Sequence, residues 1–161
     1  LRAAVMTLSD KGFAGERIDE SGPKAVAMLE AAGYEIVETL LLPDAQNKIE
    51  RELIRLADSR QVDLIITTGG TGMSVHDCTP EATLAVATRN VPGIAEAIRA
   101  GSMAITKRAM LGRGASVLRN NTLIVNLPGS VKAVEESLEI VLPELEHGLR
   151  ILKGSANECG R

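Results

Sequence analysis

Asp63-Leu64-Ile65-Ile66-Thr67-Thr68-Gly69-Gly70-Thr71-Gly72 is the stretch on which the fold turns. Its first half is a short, continuously apolar and β-branched run. That is the pattern of a strand covered on both faces, not of one alternating between core and solvent. Its second half is a glycine cluster placed where the strand ends. Further on, Thr79-Pro80-Glu81-Ala82 reads as a helix opening, with a hydroxyl cap, proline at the first helical position and an acid in the first turn. Strand, glycine-rich loop and helix in this order make the repeating unit of a parallel sheet with helices packed on its faces.

The same alternation extends in both directions. Upstream, residues 3–8 are small, apolar and β-compatible, and Ser9-Asp10-Lys11-Gly12 breaks the run. The polar stretch 12–22 reads as a long loop. Ser21 followed by Pro23 starts a helix on which Ala25, Val26, Leu29 and Ala32 recur at helical spacing, and Gly33 ends it. Residues 35–42 form a second strand, stopped by Pro43-Asp44, and Ile49, Leu53, Leu56 and Ala57 stripe a second helix. Downstream, a helix is expected over 93–105, then strands over 115–118 and 123–125 around a turn at Asn120-Asn121. Val134, Leu138, Val141, Leu142 and Leu145 mark a last helix that Pro143 should kink or interrupt. With no linker, repeat or low-complexity tract, residues 1–161 are expected to form one α/β domain, a three-layer αβα sandwich around a mostly parallel sheet.

Composition narrows the function classes. A hydrophobic content of 45% over 161 residues is enough for a real core. The net charge of −3 lacks the basic excess of a nucleic-acid-coating protein. Phe13 and Tyr34 are the only aromatics, too few for a base-stacking platform. No apolar run approaches the ~18 residues of a membrane span, and the first residues do not read as a secretory signal. Cys78 and Cys159 stand apart without metal spacing, which fits a reducing cytoplasm.

In open α/β sheets, ligands sit beyond the carboxyl ends of the strands. Three such ends carry loops suited to anions: Ser9-Asp10, then Thr67-Thr68-Gly69-Gly70-Thr71-Gly72, then Asn126-Leu127-Pro128-Gly129-Ser130 ahead of the last helix. Clustered glycines let backbone N–H groups converge on a phosphate, and a helix N-terminus adds the positive end of its dipole. The second loop has neither a Walker lysine nor G-x-G-x-x-G spacing, so neither a P-loop nor a standard dinucleotide site is supported. On residues alone, the readier readings are that Asp77 serves the dipole of the following helix and that Asp44 serves a turn, ahead of a ligand role for either. Lys107, Arg108 and Arg113 offer positive charge for a polyphosphate.

The string Thr67-Thr68-Gly69-Gly70-Thr71-Gly72-Met73-Ser74-Val75-His76-Asp77-Cys78-Thr79-Pro80-Glu81-Ala82-Thr83 resembles the signature of the molybdopterin-binding family. That family includes the molybdopterin adenylyltransferases, their MoaB-type relatives, and domains of gephyrin and its plant counterpart. Asn126-Leu127-Pro128-Gly129-Ser130-Val131-Lys132-Ala133 resembles its second signature, and Ser9-Asp10, Pro43-Asp44 and residues 106–113 fall in the right order. The resemblance implies transfer of AMP from Mg-ATP to the terminal phosphate of molybdopterin, with pyrophosphate released. It makes Asp44 and Asp77 the catalytic and Mg²⁺-placing pair. Ser9, Asp10, Thr68, Gly69, Gly70, Thr71, Gly72, Asn126, Pro128, Gly129 and Ser130 are then the substrate- and nucleotide-binding positions. It also implies a homotrimer or hexamer that contacts a downstream metal-insertion protein. The alternatives are a MoaB-type protein that binds molybdopterin with little or no turnover, and a scaffolding role of the gephyrin kind. Many relatives carry Arg before the loop aspartate where this chain has His76, an imidazole in place of an always-charged fork.

Overall fold

Leu64 and Ile66 belong to one hydrophobic core and Ile65 to another, so the strand that decided the fold is buried on both sides. The structure, a computed structural model, describes residues 1–154. Six strands make one sheet: β1 (Arg2–Leu8), β2 (Glu35–Leu42), β3 (Leu64–Thr68), β4 (Arg89–Asn90), β5 (Ser116–Arg119) and β6 (Thr122–Leu127), in the order β2-β1-β3-β6-β5-β4. The β1–β2, β1–β3 and β3–β6 pairs are parallel, while β5 runs antiparallel to both β6 and β4. The sheet is therefore mixed but mostly parallel, as expected.

Helices cover both faces. Ala3, Val5, Leu64, Ile66, Leu123 and Val125 pack against α2 (Ser21–Ala31), α5 (Pro92–Met103) and α6 (Val131–Leu152). Ala4, Met6, Ile65 and Ile124 face α3 (Gln46–Ile54) and α4 (Thr79–Val86). Odd-numbered residues of β1 and even-numbered ones of β3 thus share one core, which is the two-residue period of a strand buried twice over. The result is the three-layer sandwich.

Several local expectations are corrected. The stretch read as a loop from Gly12 begins inside a helical turn, α1 (Asp10–Phe13), because the Ser9 hydroxyl accepts the Gly12 N–H at 3.0 Å. Ser21 is the first residue of α2 rather than its cap, and Asp19 does the capping: its Oδ1 accepts the Gly22 N–H and the Ser21 hydroxyl, both at 3.1 Å. Pro143 does not interrupt α6, which runs unbroken from Val131 to Leu152. The proline is exposed, so the carbonyl one turn earlier that loses its partner can turn to water. Thr79 is not the cap of α4. It lies inside the helix, with Cys78 at the cap position, and its hydroxyl donates to the Gly69 carbonyl at 3.0 Å.

Candidate active site

The carboxyl ends of β1, β2, β3 and β6 lie together because those strands are parallel neighbours. The chain leaves β1 for β2 on one side and returns to β3 on the other, so the crevice between β1 and β3 is the topological switch point. Backbone meets backbone there. The Gly69 N–H donates to the Leu127 carbonyl at 3.1 Å. A Cβ on Gly69, whose φ is +96°, would stand 2.3 Å from the Leu8 carbonyl oxygen. Gly70 is equally constrained, for at φ +68° its Cβ would lie 2.3 Å from Thr79 Oγ1 and 3.0 Å from Asp44 Oδ1. Only glycine lets these loops approach one another and the carboxylate.

Two clefts open around this junction. The first, about 510 Å³, lies over the switch point and is lined by Ser9, Asp44, Thr68, Gly69, Gly70, Asp77, Gly129 and Ser130 among others. The second, about 490 Å³, shares Gly69, Gly70, Asp77 and Gly129 with it. It also takes in Thr71, Gly72, Asn126 and Pro128, and runs between α5 and α6 toward Arg99 and Arg108. Ser130 caps α6, its hydroxyl accepting the Ala133 N–H at 3.1 Å, so the positive end of a 22-residue helix faces this region. Asp10 lines neither cleft. Its Oδ1 accepts the Asp44 N–H at 2.8 Å, and its own N–H donates to Asp44 Oδ2 at 3.3 Å.

Asp44 is held at the edge of being too buried for its charge. Its Oδ1 is buried and receives no hydrogen bond. Burial pushes its carboxyl above the usual range, and the Asp10 and Asp77 carboxylates push it further, while the backbone bond from Asp10 works the other way. An unsatisfied carboxylate oxygen among like charges is the position a hard cation relieves. Among the described residues no set of three or more His, Cys, Asp or Glu is arranged to hold a metal ion. A divalent cation here would accordingly draw its remaining ligands from phosphate and water, the habit of Mg²⁺. The donor set fits that group.

The strain has a measurable sign. A carboxyl whose folded pKa is raised contributes stability below its unfolded pKa and loses it as pH rises through the folded pKa. Asp44→Asn removes the buried charge and is expected to raise the melting temperature of the substrate-free protein at pH 7, by roughly 1–3 °C. The gain should disappear as the pH falls through the folded pKa, where Asp44 is already protonated. A thermal melt of the variant that is lower than that of the natural protein at pH 7 would contradict this account.

Asn126 ties three elements together. Its side-chain NH₂ donates to Thr67 Oγ1 and Thr83 Oγ1, both at 2.9 Å, and its Oδ1 accepts the Ala115 N–H at 3.0 Å. Both amide hydrogens are committed inside the protein, so any contact it makes to a ligand is through other atoms. Asn126→Ala leaves a cavity, takes the donor from the buried Thr67 and Thr83 hydroxyls and unpairs the partly buried Ala115 N–H, and should cost about 3 kcal/mol, or roughly 10 °C in a thermal melt. Thr68 is likewise committed, donating to the Pro128 carbonyl at 2.9 Å.

The structure adds residues that the sequence reading missed. Asp19 lines the first cleft while accepting the Thr7 hydroxyl at 2.8 Å, and Arg17 lines the same wall. The signal for Asp19 was available: an acid three residues ahead of a helical Gly22 is a cap pattern. Arg113 is removed from the set of free cations, for its Nη1 bonds Glu81 at 2.7 Å and its other donors reach loop carbonyls. His76 is exposed, as is His147. Burial raises the Cys78 thiol and the surrounding carboxylates raise it further, so it is not a thiolate; Cys159 lies outside the described residues.

Glycine loops at a switch point, the N-terminus of a capped 22-residue helix and two aspartates lining one cleft are the features with which α/β proteins receive phosphate groups. The chain belongs to the family described as the probable molybdopterin binding domain, whose model matches residues 4–147. It is 43% identical over 141 residues to a molybdopterin adenylyltransferase of Haemophilus influenzae, an alignment covering 86% of this chain and 72% of that protein. Among solved structures it resembles the molybdopterin biosynthesis enzyme MoaB of Thermus thermophilus, at 44% identity and a TM-score of 0.90, covering 95% of this chain and 96% of the other. It also resembles the tungsten cofactor synthesizing protein MoaB of Pyrococcus furiosus, at 32% identity and a TM-score of 0.84, with 97% of each chain covered.

Proposed function

We propose that this protein is a nucleotidyltransferase that transfers AMP from ATP to the terminal phosphate of molybdopterin. A phosphate oxygen of the pterin attacks the α-phosphorus, the bond from that phosphorus to the bridging oxygen breaks, and pyrophosphate leaves with the electron pair. The observation that carries the reading is the unsatisfied Oδ1 of Asp44, buried beside Gly70 and sharing the first cleft with Asp77. The relative named for this activity, aligned over most of the chain, supports the same reading.

Each residue then has a physical task. Asp44 and Asp77 would hold Mg²⁺, which when bound neutralises the triphosphate and stabilises the charge that shifts onto the leaving group. Gly70, Thr71 and Gly72 offer backbone N–H groups to a phosphate, the Gly69 N–H being taken by the Leu127 carbonyl, and Ser9, Ser130 and Gly129 hold the substrates against the α6 N-terminus. Thr68, Asn126 and Pro128 fix the shape of the loops, and Asp10 fixes Asp44. No protein nucleophile is needed: positioning and electrostatics supply the rate. Cytoplasmic location, assembly into a trimer or hexamer, and hand-over to a downstream metal-insertion protein complete the proposal. No helix among the described residues is long and apolar enough to cross a membrane.

The second reading is a MoaB-type protein that binds molybdopterin without appreciable turnover. Pyrophosphate release with molybdopterin and Mg-ATP decides between them. Pterin-dependent release supports the enzyme; tight pterin binding with no release leaves the binding protein.

A further inference from the structure

All three donor nitrogens of the Arg113 side chain are engaged beside the site, and the proposed reaction gives it no task. It follows the 3-10 turn Lys107–Leu111 that connects α5 to β5. Its Nε donates to the Gly72 carbonyl at 2.7 Å and its Nη2 to the Asp77 carbonyl at 3.0 Å. Its Nη1 bonds Glu81 Oε2, in the first turn of α4, at 2.7 Å, and its backbone N–H donates to the Thr71 carbonyl at 2.9 Å. One residue therefore grips the loop 71–77 at three points and fixes it to the helix that follows.

The loop needs such a grip. Met73 and Val75 are 71% and 94% exposed, so apolar packing does not anchor its tip. The Asp77 carboxylate is oriented from within the same loop, Oδ2 accepting the Ser74 N–H at 3.1 Å while the Asp77 N–H donates to the Ser74 carbonyl at 3.0 Å. That internal turn sets how the carboxylate sits on the loop, not where the loop sits in the protein. Arg113 in turn is braced from α5, where Arg99 Nη1 donates to the carbonyls of Gly112 and Gly114 on either side of it, at 3.4 and 2.8 Å. A planar guanidinium can serve the two carbonyls and the carboxylate at once; a lysine ammonium on its single nitrogen cannot span them.

We infer that Arg113 is a positioning residue, holding the Asp77 carboxylate in register with Asp44 across the first cleft rather than meeting the substrate itself. The inference rests on the proposed adenylyl transfer for its consequence, while the grip on the loop is independent of it. Glu81 is the second half of the clamp, its carboxyl held below the usual range chiefly by the hydrogen bond from Arg113.

The test compares the natural protein with Arg113→Lys, Arg113→Met, Asp77→Asn and the Arg113→Lys/Asp77→Asn pair. Arg113→Lys should lower kcat about 100-fold, leave the KM for molybdopterin within about 3-fold, and raise the half-saturating Mg²⁺ concentration about 10-fold. The double variant should be no slower than Asp77→Asn alone, since one residue acts through the other. Amide hydrogen exchange at Ser74 and Asp77 should speed up about 10-fold or more in both Arg113 variants, with Ile65 and Ile66 of β3 unchanged to show that the fold is intact. Additive losses in the double variant would overturn the inference, as would a rise in substrate KM with kcat preserved, or unchanged exchange at Ser74. A natural protein without turnover would instead defeat the adenylyl-transfer reading, and exchange at Ser74 would then decide the role of Arg113 alone.

Discussion

Asp77→Asn is expected to reduce molybdopterin-dependent pyrophosphate release about 1,000-fold while the protein still folds and still binds pterin. The substitution keeps the size of the side chain and leaves an oxygen to accept the Ser74 N–H. What it removes is the charge of one of the two carboxylates proposed to hold a divalent cation in the first cleft. Losing a preorganised electrostatic contact of this kind costs two to three orders of magnitude in turnover in comparable sites. Steady-state kinetics over a range of Mg²⁺ concentrations checks it. A variant that retains more than about a tenth of the natural kcat would mean that Asp77 is only a turn residue ahead of α4.

Gly69→Ala should be the most damaging change to the fold around the site. The residue sits at φ +96°, where L side chains are strained, and the new Cβ would lie 2.3 Å from the backbone oxygen of Leu8. Leu8 ends β1 paired with Leu42 of β2, directly after Thr7 pairs with Thr68 of β3, so its carbonyl cannot swing away without disturbing the end of the ladder. The expected loss is about 4 kcal/mol, roughly 10–15 °C in a thermal melt for a chain of this size. Gly93→Ala serves as the control. Nothing lies within 4 Å of a Cβ there, and the exposed start of α5 should accept alanine with a change under about 1 kcal/mol. Equal melting temperatures for the two variants would refute the steric account.

These predictions draw on features that were unequally visible in the sequence. The layered α/β architecture was legible because the central strands are largely apolar runs ended by turn-forming residues, Ser9-Asp10 after β1, Gly69 after β3 and Pro128 after β6, a signal that needs no partner to be read. The loops bearing Asp44, Asp77 and Ser130 were legible for the same reason. What escaped depends on distant contacts. Thr79 has every local mark of a cap, yet its hydroxyl answers Gly69, which only the folded loop brings near. Asn126 is placed at a strand end where ligands are expected, but its amide is taken by Thr67 and Thr83 from two other elements. The two-residue β4 and the π-helical turn Arg55–Ser59 carry no periodicity long enough to detect. Pro143 misled because proline breaks helices by default, while an exposed proline late in a long, well-buried helix loses only one bond.

An open sheet has two borders, and each is a template onto which a foreign chain can add a strand. In this protein one border, β4, is only two residues long. The other, β2, is full length, but its register against β1 slips between Ala3 and Ala4, so Ile36 and Glu38 find partners and Val37 does not. Arg60 donates to the Val37 carbonyl, and Arg55 binds Glu38 alongside it. A charged, irregular rim offers poor pairing to an approaching strand. The long parallel strands that bring the glycine loops together would otherwise make the molecule prone to stacking edge to edge. The register shift and the arginines beside it make the β2 border of a sheet so rich in β-branched and aliphatic residues a poor template for a further strand.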